Sequence, residues 1–370
     1  MRIAFIVHDY HRTGGHSRYV YELATRFARA HEVHVFANRV AGERDPRITF
    51  HPIPALRFNA LASVLTFIVP ATLQRLAHFD IVHAQGLCGL RQNVVTAHMC
   101  QPAWYAAQEK HMGALTLKQK VFRALVQPIE KHTFQSRSTR AVIAVSKRVA
   151  NDLDACYQRR DQVSVVYHGV DLNTFNPDNR SRFRAIVRSE LNLAEDCFTA
   201  LYVGDLQKAG PPAIEAVARI PDAHMLCVSS SRTESYRALA AKFGATDRIH
   251  FMPATNRIER CYAAADAFVF PSFYDTFGMV VSEAMATGLP VIASKAAGVS
   301  EVIEHGVSGI VLDEAWDVPA LASSLERLKS DASMRDSMGR EGRRVIENFT
   351  WDKTAAETMT VYERVVSTPR

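Results

Sequence analysis

The sequence predicts an α/β protein built from two doubly wound parallel-sheet domains in series, and three observations carry that expectation. The chain has 370 residues, long for a single hydrophobic core, and 48% of them are apolar, enough to fill two. Short Val- and Ile-rich runs, apolar on both faces, alternate with amphipathic helical stretches, as in parallel sheets covered on both sides. A segment rich in Asn, Asp and Pro, HGVDLNTFNPDNR (His168 to Arg180), divides the alternation into two sets of about six strands.

The elements follow in order. In the first half the strand candidates are RIAFIV, EVHVFA, DIVHAQ, NVVTAH, AVIAVS and VSVVYH. In the second they are FTALYVG, HMLCVS, RIHFMP, AFVFPS, PVIAS and GIVLD. Between the second and third runs lies ALASVLTFIVPATL (Ala60 to Leu73), 14 residues with Pro70 inside. It falls short of a membrane span and reads as an apolar core helix. The end, FTWDKTAAETMTVYERVV, is helical, with Trp351, Ala355, Met359 and Tyr362 along one stripe. The N-terminal apolar run reaches His8 and Asp9 too soon for a signal peptide. None of the six cysteines forms a CxxC pair, which suits buried thiols in a reducing cytosol.

Charge is unevenly distributed. Residues 1–175 hold 22 Lys and Arg against 12 Asp and Glu, whereas residues 176–370 hold 22 against 26. Between Lys110 and Arg148 stand nine basic residues and one acid, Glu130. Such a run attracts an anionic surface. Aromatic residues do not interleave with it and no recognition module is visible, so no nucleic-acid partner is expected.

Ligands of doubly wound sheets bind at the carboxyl ends of strands, so the loops there matter most. Gly14 and Gly15 follow the first strand and precede a helix whose first N–H groups suit an anion. His98 stands where the NVVTAH strand meets its loop, and Lys208 follows the first strand of the second half. Asp152 and Asp154 form an Asp-x-Asp, but residues two apart on a helix do not share a face, so no metal site is expected. The most specific stretch is FYDTFGMVVSEAMATGLPVIAS. Phe277 and Gly278 bring the unspent N–H groups of Met279 and Val280 to a helix start. Asp275 in the loop and Glu283 in the helix offer carboxylates suited to sugar hydroxyls.

In these residues the chain resembles the retaining glycosyltransferases of the GT-B fold, family 4. The family's acid-x7-Glu pattern runs here as Asp275 to Glu283 within DTFGMVVSEAMATGLPVIASKAAGVSEVI. The Gly-Gly turn, TAH, AVSKRVANDL, VYHGVDLNTFNP, VGDLQK, CYAAADAFVFPS and the terminal FTWD extend the likeness over nearly the whole chain. The resemblance implies two Rossmann-like domains facing across a cleft, with the last helix crossing back. The expected domains are 1–173 plus 351–370, for the acceptor, and 174–350, for the nucleotide sugar. It further implies that Glu283 binds the ribose and Asp275 the donor hexose. Lys208 and the N–H groups of Gly278, Met279 and Val280 would hold the diphosphate, with Phe277 beside them. Gly14, Gly15 and Arg18 would lie against substrate, and His98 would contact the transferred sugar or the acceptor.

Within the family, HMCQPAWYAAQEKHMG followed by LKQKVFRALVQPIEKHTFQSRSTR resembles the bacterial lipopolysaccharide core glucosyltransferases. This implies a peripheral enzyme at the inner face of the cytoplasmic membrane, docked through residues 110–148. Its donor would be a UDP-sugar, or a GDP-sugar as in a mannosyltransferase, its acceptor a glycolipid or polysaccharide, and it would need no cofactor. Three features depart from the pattern. Asp205 stands where the family commonly has Arg, Ser229-Ser230-Ser231 replaces a Gly-x-Gly, and Asp275 replaces the commoner Glu. The first two motivate an alternative, a non-catalytic glycan- or membrane-binding relative.

Overall fold

The computed structural model describes residues 1–368. The chain forms two compact units, Met1–Gly169 with the segment from Trp351 onward, and Val170–Thr350. The division falls inside the Asn-, Asp- and Pro-rich segment that begins at His168.

The first unit runs β1 (Arg2–Tyr10), α1 (Gly15–Phe27), β2 (Glu32–Val40), β3 (Ile48–Pro52), α2 (Ala60–Thr72), β4 (Ile81–Gln85), β5 (Val94–Ala97), α3 (Gln101–Met112), α4 (Leu117–Gln135), β6 (Ala141–Ala144), α5 (Lys147–Tyr157) and β7 (Val163–Val165). Its seven strands pair in parallel in the order β3-β2-β1-β4-β5-β6-β7. The chain leaves β1 toward β2 on one side, while β4 flanks β1 on the other. The carboxyl ends of β1 and β4 therefore frame a topological switch point.

Both sheet faces are covered, as alternation on β1 requires. Phe5 stacks on Phe27 of α1 at 6.2 Å, and His8, on the opposite face, meets Phe67 of α2 at 4.2 Å. β3 was not among the expected strands. It is an edge strand whose Thr49 and His51 break the apolar run and whose last residue is Pro52, so it lacks the doubly buried pattern.

α2 corrects a second expectation. It is helical, but only Phe67, Ile68 and Ala71 are buried, while Val69 and Leu73 stand exposed. Among the described residues no helix is long and apolar enough to cross a membrane.

The second unit runs α6 (Asn179–Glu190), β8 (Thr199–Val203), α7 (Leu206–Ala218), β9 (His224–Ser229), α8 (Glu234–Lys242), β10 (Ile249–Pro253), α9 (Ile258–Ala264), β11 (Ala267–Phe270), α10 (Met279–Ala286), β12 (Val291–Ser294), β13 (Ile310–Leu312), α11 (Val318–Ser330) and α12 (Ala332–Ile346). Its parallel order, β10-β9-β8-β11-β12-β13, repeats the topology and places a second switch point between β8 and β11.

The last helix, α13 (Trp351–Ser367), belongs to the first unit and packs on α1, β4 and β6. Trp351, Ala355 and Tyr362 of the expected stripe are buried, with Thr358 in place of Met359 on the inner line. Arg26 of α1 pairs with Asp352 at 2.7 Å, and Tyr362 meets His83 of β4 at 2.6 Å. All six cysteines are free thiols, four of them buried.

Candidate active site

The expected site residues fall into two groups, one at the switch point of each unit. In the second unit β8 hands the chain to Asp205 and α7, and β11 hands it to the loop before α10. The backbone of Asp275 is fixed by the segment after β12. Its N–H donates to the Ala296 carbonyl at 2.9 Å, and its own carbonyl accepts from Gly298 N–H at 3.0 Å. So held, the Asp275 carboxylate accepts from Lys208 Nζ at 2.9 Å through Oδ2 and from Phe277 N–H at 3.3 Å through Oδ1. Lys208 is anchored in turn, its carbonyl accepting from Trp316 Nε1 at 3.2 Å and Phe273 N–H at 3.3 Å. A cation and a carboxylate 67 residues apart thus meet, each about a quarter exposed or less.

Gly278 caps α10 with φ 94°, the left-handed region open to glycine, and a Cβ there would press on Val299 Cγ1 at 3.1 Å. The chain turns sharply enough that Met279 and Val280, both half-buried, open the helix with N–H groups that no earlier turn can accept. Phe277 is 1% exposed, with its N–H given to Asp275 and its carbonyl accepting from Val299 N–H at 2.6 Å, so it shapes the turn. Glu283, in the second turn, is buried at 6% exposure. Tyr262 of α9 donates to its Oε2 at 3.0 Å and also lies 3.0 Å from the Val280 carbonyl. Tyr262 was not singled out in the sequence, where it stands within CYAAADAFVF with nothing to tie it to Glu283.

The two departures near this site are one structure. Asp205 caps α7, its Oδ1 accepting from Gln207 N–H at 3.1 Å and from Ser231 Oγ at 3.0 Å. Ser231 Oγ itself accepts from Leu206 N–H at 3.2 Å. The serine that replaces glycine thus completes the cap that the aspartate begins, and the first donors of α7 are spent inside the protein.

In the first unit Gly14 takes φ 82° and turns the chain into α1. Arg18 lies over the Trp351 ring at 5.9 Å, with Nε 3.8 Å from Glu22 Oε1. His98 is buried, with Nε2 2.8 Å from Gln85 Oε1 and its ring stacked on His16 at 4.2 Å. Burial, and then the neighbouring His16, His168 and His83, hold its pKa well below 6.5, so the ring is neutral at pH 7. Gln85 and His16 were missed because only the β4–β5 register and the β1 turn bring them to His98.

Asp152 and Asp154 do not converge. The Asp152 carbonyl accepts from Cys100 Sγ and Asp154 pairs with Arg160.

Residues 13–174 match the glycosyltransferase family 4 domain, and residues 183–345 the glycosyl transferases group 1 domain. The chain belongs to glycosyltransferase family 4. This glycosyltransferase is 29% identical over 400 residues to the D-inositol 3-phosphate glycosyltransferase of Salinispora tropica, covering 96% of this chain and 82% of that one. Among solved structures it resembles WaaG, a glycosyltransferase involved in lipopolysaccharide biosynthesis, with TM-score 0.80 and 20% identity over 99% of this chain and 100% of that one. It also resembles Anabaena HepE in complex with UDP-glucose, with TM-score 0.72 and 19% identity over the full length of both chains. These likenesses identify the fold as GT-B.

Proposed function

We propose that this glycosyltransferase moves a hexose from a UDP-linked donor, with retention and without a metal, to a lipid-linked or polysaccharide acceptor at the inner membrane surface. The Lys208–Asp275 pair beside the start of α10, with Glu283 one turn further in, carries the reading. Lys208 and the N–H groups of Gly278, Met279 and Val280 would take the diphosphate, Glu283 the ribose, and Asp275 a hexose hydroxyl. The bond from the anomeric carbon to phosphate oxygen breaks as the acceptor oxygen bonds to the same face, and the acceptor's proton passes to the departing phosphate. The protein's share is orientation and stabilisation of the charge left on the diphosphate. The choice of UDP draws on the likeness to HepE with its bound UDP-glucose. A second acceptor class, a phosphorylated polyol, is favoured by the match to the D-inositol 3-phosphate glycosyltransferases, and side-by-side acceptor assays separate the two.

The first test is thermal stabilisation. A ligand that binds only the folded chain raises Tm by mass action, about 2.7 kcal/mol of stability at 100 times its Kd. UDP should raise Tm in the wild type and not in Glu283→Ala. Stabilisation by GDP alone would move the donor to a GDP-sugar such as GDP-mannose. No response to either would put the non-catalytic reading ahead.

Membrane docking is supported by α4, which carries two stripes. Val126, Glu130, Thr133 and Phe134 face inward, whereas Leu117, Val121 and Leu125, at i, i+4 and i+8, are 77%, 46% and 48% exposed. Lys118 and Lys120 stand exposed among them. Apolar residues framed by cations suit an anionic lipid surface, where each lysine contributes about 1 kcal/mol. Co-sedimentation with vesicles containing phosphatidylglycerol should fall about tenfold or more in Lys118→Glu/Lys120→Glu. Unchanged pelleting would remove α4 as the docking element.

A further inference from the structure

Between β4 and β5 the first unit buries a row of polar side chains. Gln85 pairs in register with Thr96, and side chains two apart on a strand share a face, so His83, Gln85, Thr96 and His98 line one seam. The inner end of this seam is fully bonded. His83 Nδ1 meets Tyr362 Oη and His83 Nε2 meets Thr96 Oγ1, both at 2.6 Å. The outer end, beside the Gly14-Gly15 turn, is different. Gln85 is 2% exposed, and its carboxamide oxygen lies 2.8 Å from His98 Nε2. Among the described residues its buried amide nitrogen has no acceptor in reach.

A buried amide with unspent N–H groups costs about 1–3 kcal/mol, a penalty that an apolar residue would avoid. Among the described residues the one bond this side chain makes is to His98. A carboxamide oxygen only accepts, so the ring nitrogen facing it carries the proton. The second ring nitrogen, Nδ1, then keeps its lone pair. Stacking of His16 at 4.2 Å and the edge of Tyr19 at 5.0 Å hold the ring plane.

We propose that Gln85 is a positioning residue for glycosyl transfer: its carboxamide oxygen holds His98 in the Nε2–H tautomer, so that Nδ1 accepts a hydrogen bond from a hydroxyl of the transferred sugar or the acceptor. The proposal rests on the reading of the chain as a hexosyltransferase with His98 in its site. Retaining the acceptor role requires a neutral ring, because an imidazolium has no lone pair to offer. The groups facing His98 are His16 and Tyr19 from α1, His168 after β7 and His83 further along β4, with Trp351 of α13 behind Tyr19 and His168. None of these is a carboxylate. Glutamate at position 85 would therefore introduce one with nearly unchanged shape and draw a second proton onto the ring.

The test uses the full chain labelled with 15N-histidine, with His98 assigned by the signal lost in His98→Gln. At pH 7 the wild-type ring should be protonated on Nε2 and not on Nδ1. In Gln85→Glu it should be doubly protonated, with kcat for UDP-glucose turnover about 10–100-fold lower, KM nearly unchanged and activity recovering toward pH 9. Gln85→Leu should lose kcat at every pH. Both variants should keep the UDP-induced rise in Tm. A wild-type ring protonated on Nδ1, or a Gln85→Glu protein with a neutral ring and normal kcat, overturns the proposal. If the wild type neither binds UDP nor turns over UDP-glucose, the hexosyltransferase reading falls and the positioning role falls with it, while the ring spectra still report whether Gln85 sets the tautomer.

Discussion

Asp275→Asn and Lys208→Ala should each lower kcat/KM by about 10²–10³-fold while leaving the fold intact. The two residues make one ion pair at 2.9 Å, partly open to solvent, and such a pair contributes only about 0–1 kcal/mol to stability. Its expected value lies in the reaction. In the proposed transfer Lys208 meets the charge that builds on the diphosphate, a job that a group fixed in advance performs without reorganisation. Asp275 fixes it, and does so from a backbone clamped between Ala296 and Gly298. Asparagine keeps the shape and the contact with Phe277 N–H but gives up the charge that holds the ammonium. Because each residue acts through the other, the double variant should lose far less than the product of the single losses, a coupling of about 1–3 kcal/mol. The measurement is initial rates on the UDP- or GDP-sugar whose nucleotide stabilises the protein, for wild type, both single variants and the double. Full activity in either single variant would remove the pair from the mechanism. Losses that simply multiply would mean that the two side chains act separately.

Most of the fold was legible because the sheets are parallel and doubly covered, so their strands read as unbroken apolar runs. β3 failed that test, since an edge strand ending at Pro52 has no reason to be apolar throughout. The apolar composition of Ala60 to Leu73 announced a helix correctly but not its surroundings. Composition states what a segment would prefer to bury, and only the packing decides what covers it. The same difference governs the site. The turn at Gly278 and the carboxylates on either side lie within nine residues of one another, and local spacing exposes them. Tyr262 on Glu283, Lys208 on Asp275 and Gln85 on His98 are pairings across strands and helices, and no local pattern encodes them. Asp205 and Ser231 are a case between the two. Each was visible as a departure from the family pattern, but their joint meaning, a shared cap on α7, needed the adjacency of β8 and β9.

The largest expected effect on stability lies at the amino ends of the second sheet's two central strands, away from the site. Asp266, at the amino end of β11, is 5% exposed and faces three arginines that succeed one another every four residues along α6. Arg180 donates to Oδ1 at 3.0 Å, Arg184 forms an ion pair with the same oxygen at 3.0 Å, and Arg188 approaches Oδ2 at 3.4 Å. Oδ2 also accepts from Thr199 N–H at 3.0 Å, at the start of β8. One carboxylate therefore ties a helix to two strands and is the counter-charge for Arg188, itself 1% exposed. Arg188 also meets the carbonyls of Ala264 at 2.9 Å and Ala194 at 2.7 Å, and its Nε lies 4.0 Å from the exposed Glu195 carboxylate. Asp266→Asn would preserve the volume and leave buried Arg188 with only the more distant, exposed Glu195 as counter-charge, a loss of up to about 3–5 kcal/mol. For a unit of this size that is a fall in Tm on the order of 10 °C. Arg180→Ala, at 46% side-chain exposure, should cost less than about 1 kcal/mol, because water replaces it. Arg188→Met combined with Asp266→Asn should be milder than Asp266→Asn alone, since removing both charges removes the unpaired one. Denaturant unfolding of wild type, Asp266→Asn, Arg180→Ala, Arg188→Met and the double variant settles the matter. A double variant as unstable as the sum of its parts would mean that Asp266 acts through its contact with Thr199 rather than as the charge partner of Arg188.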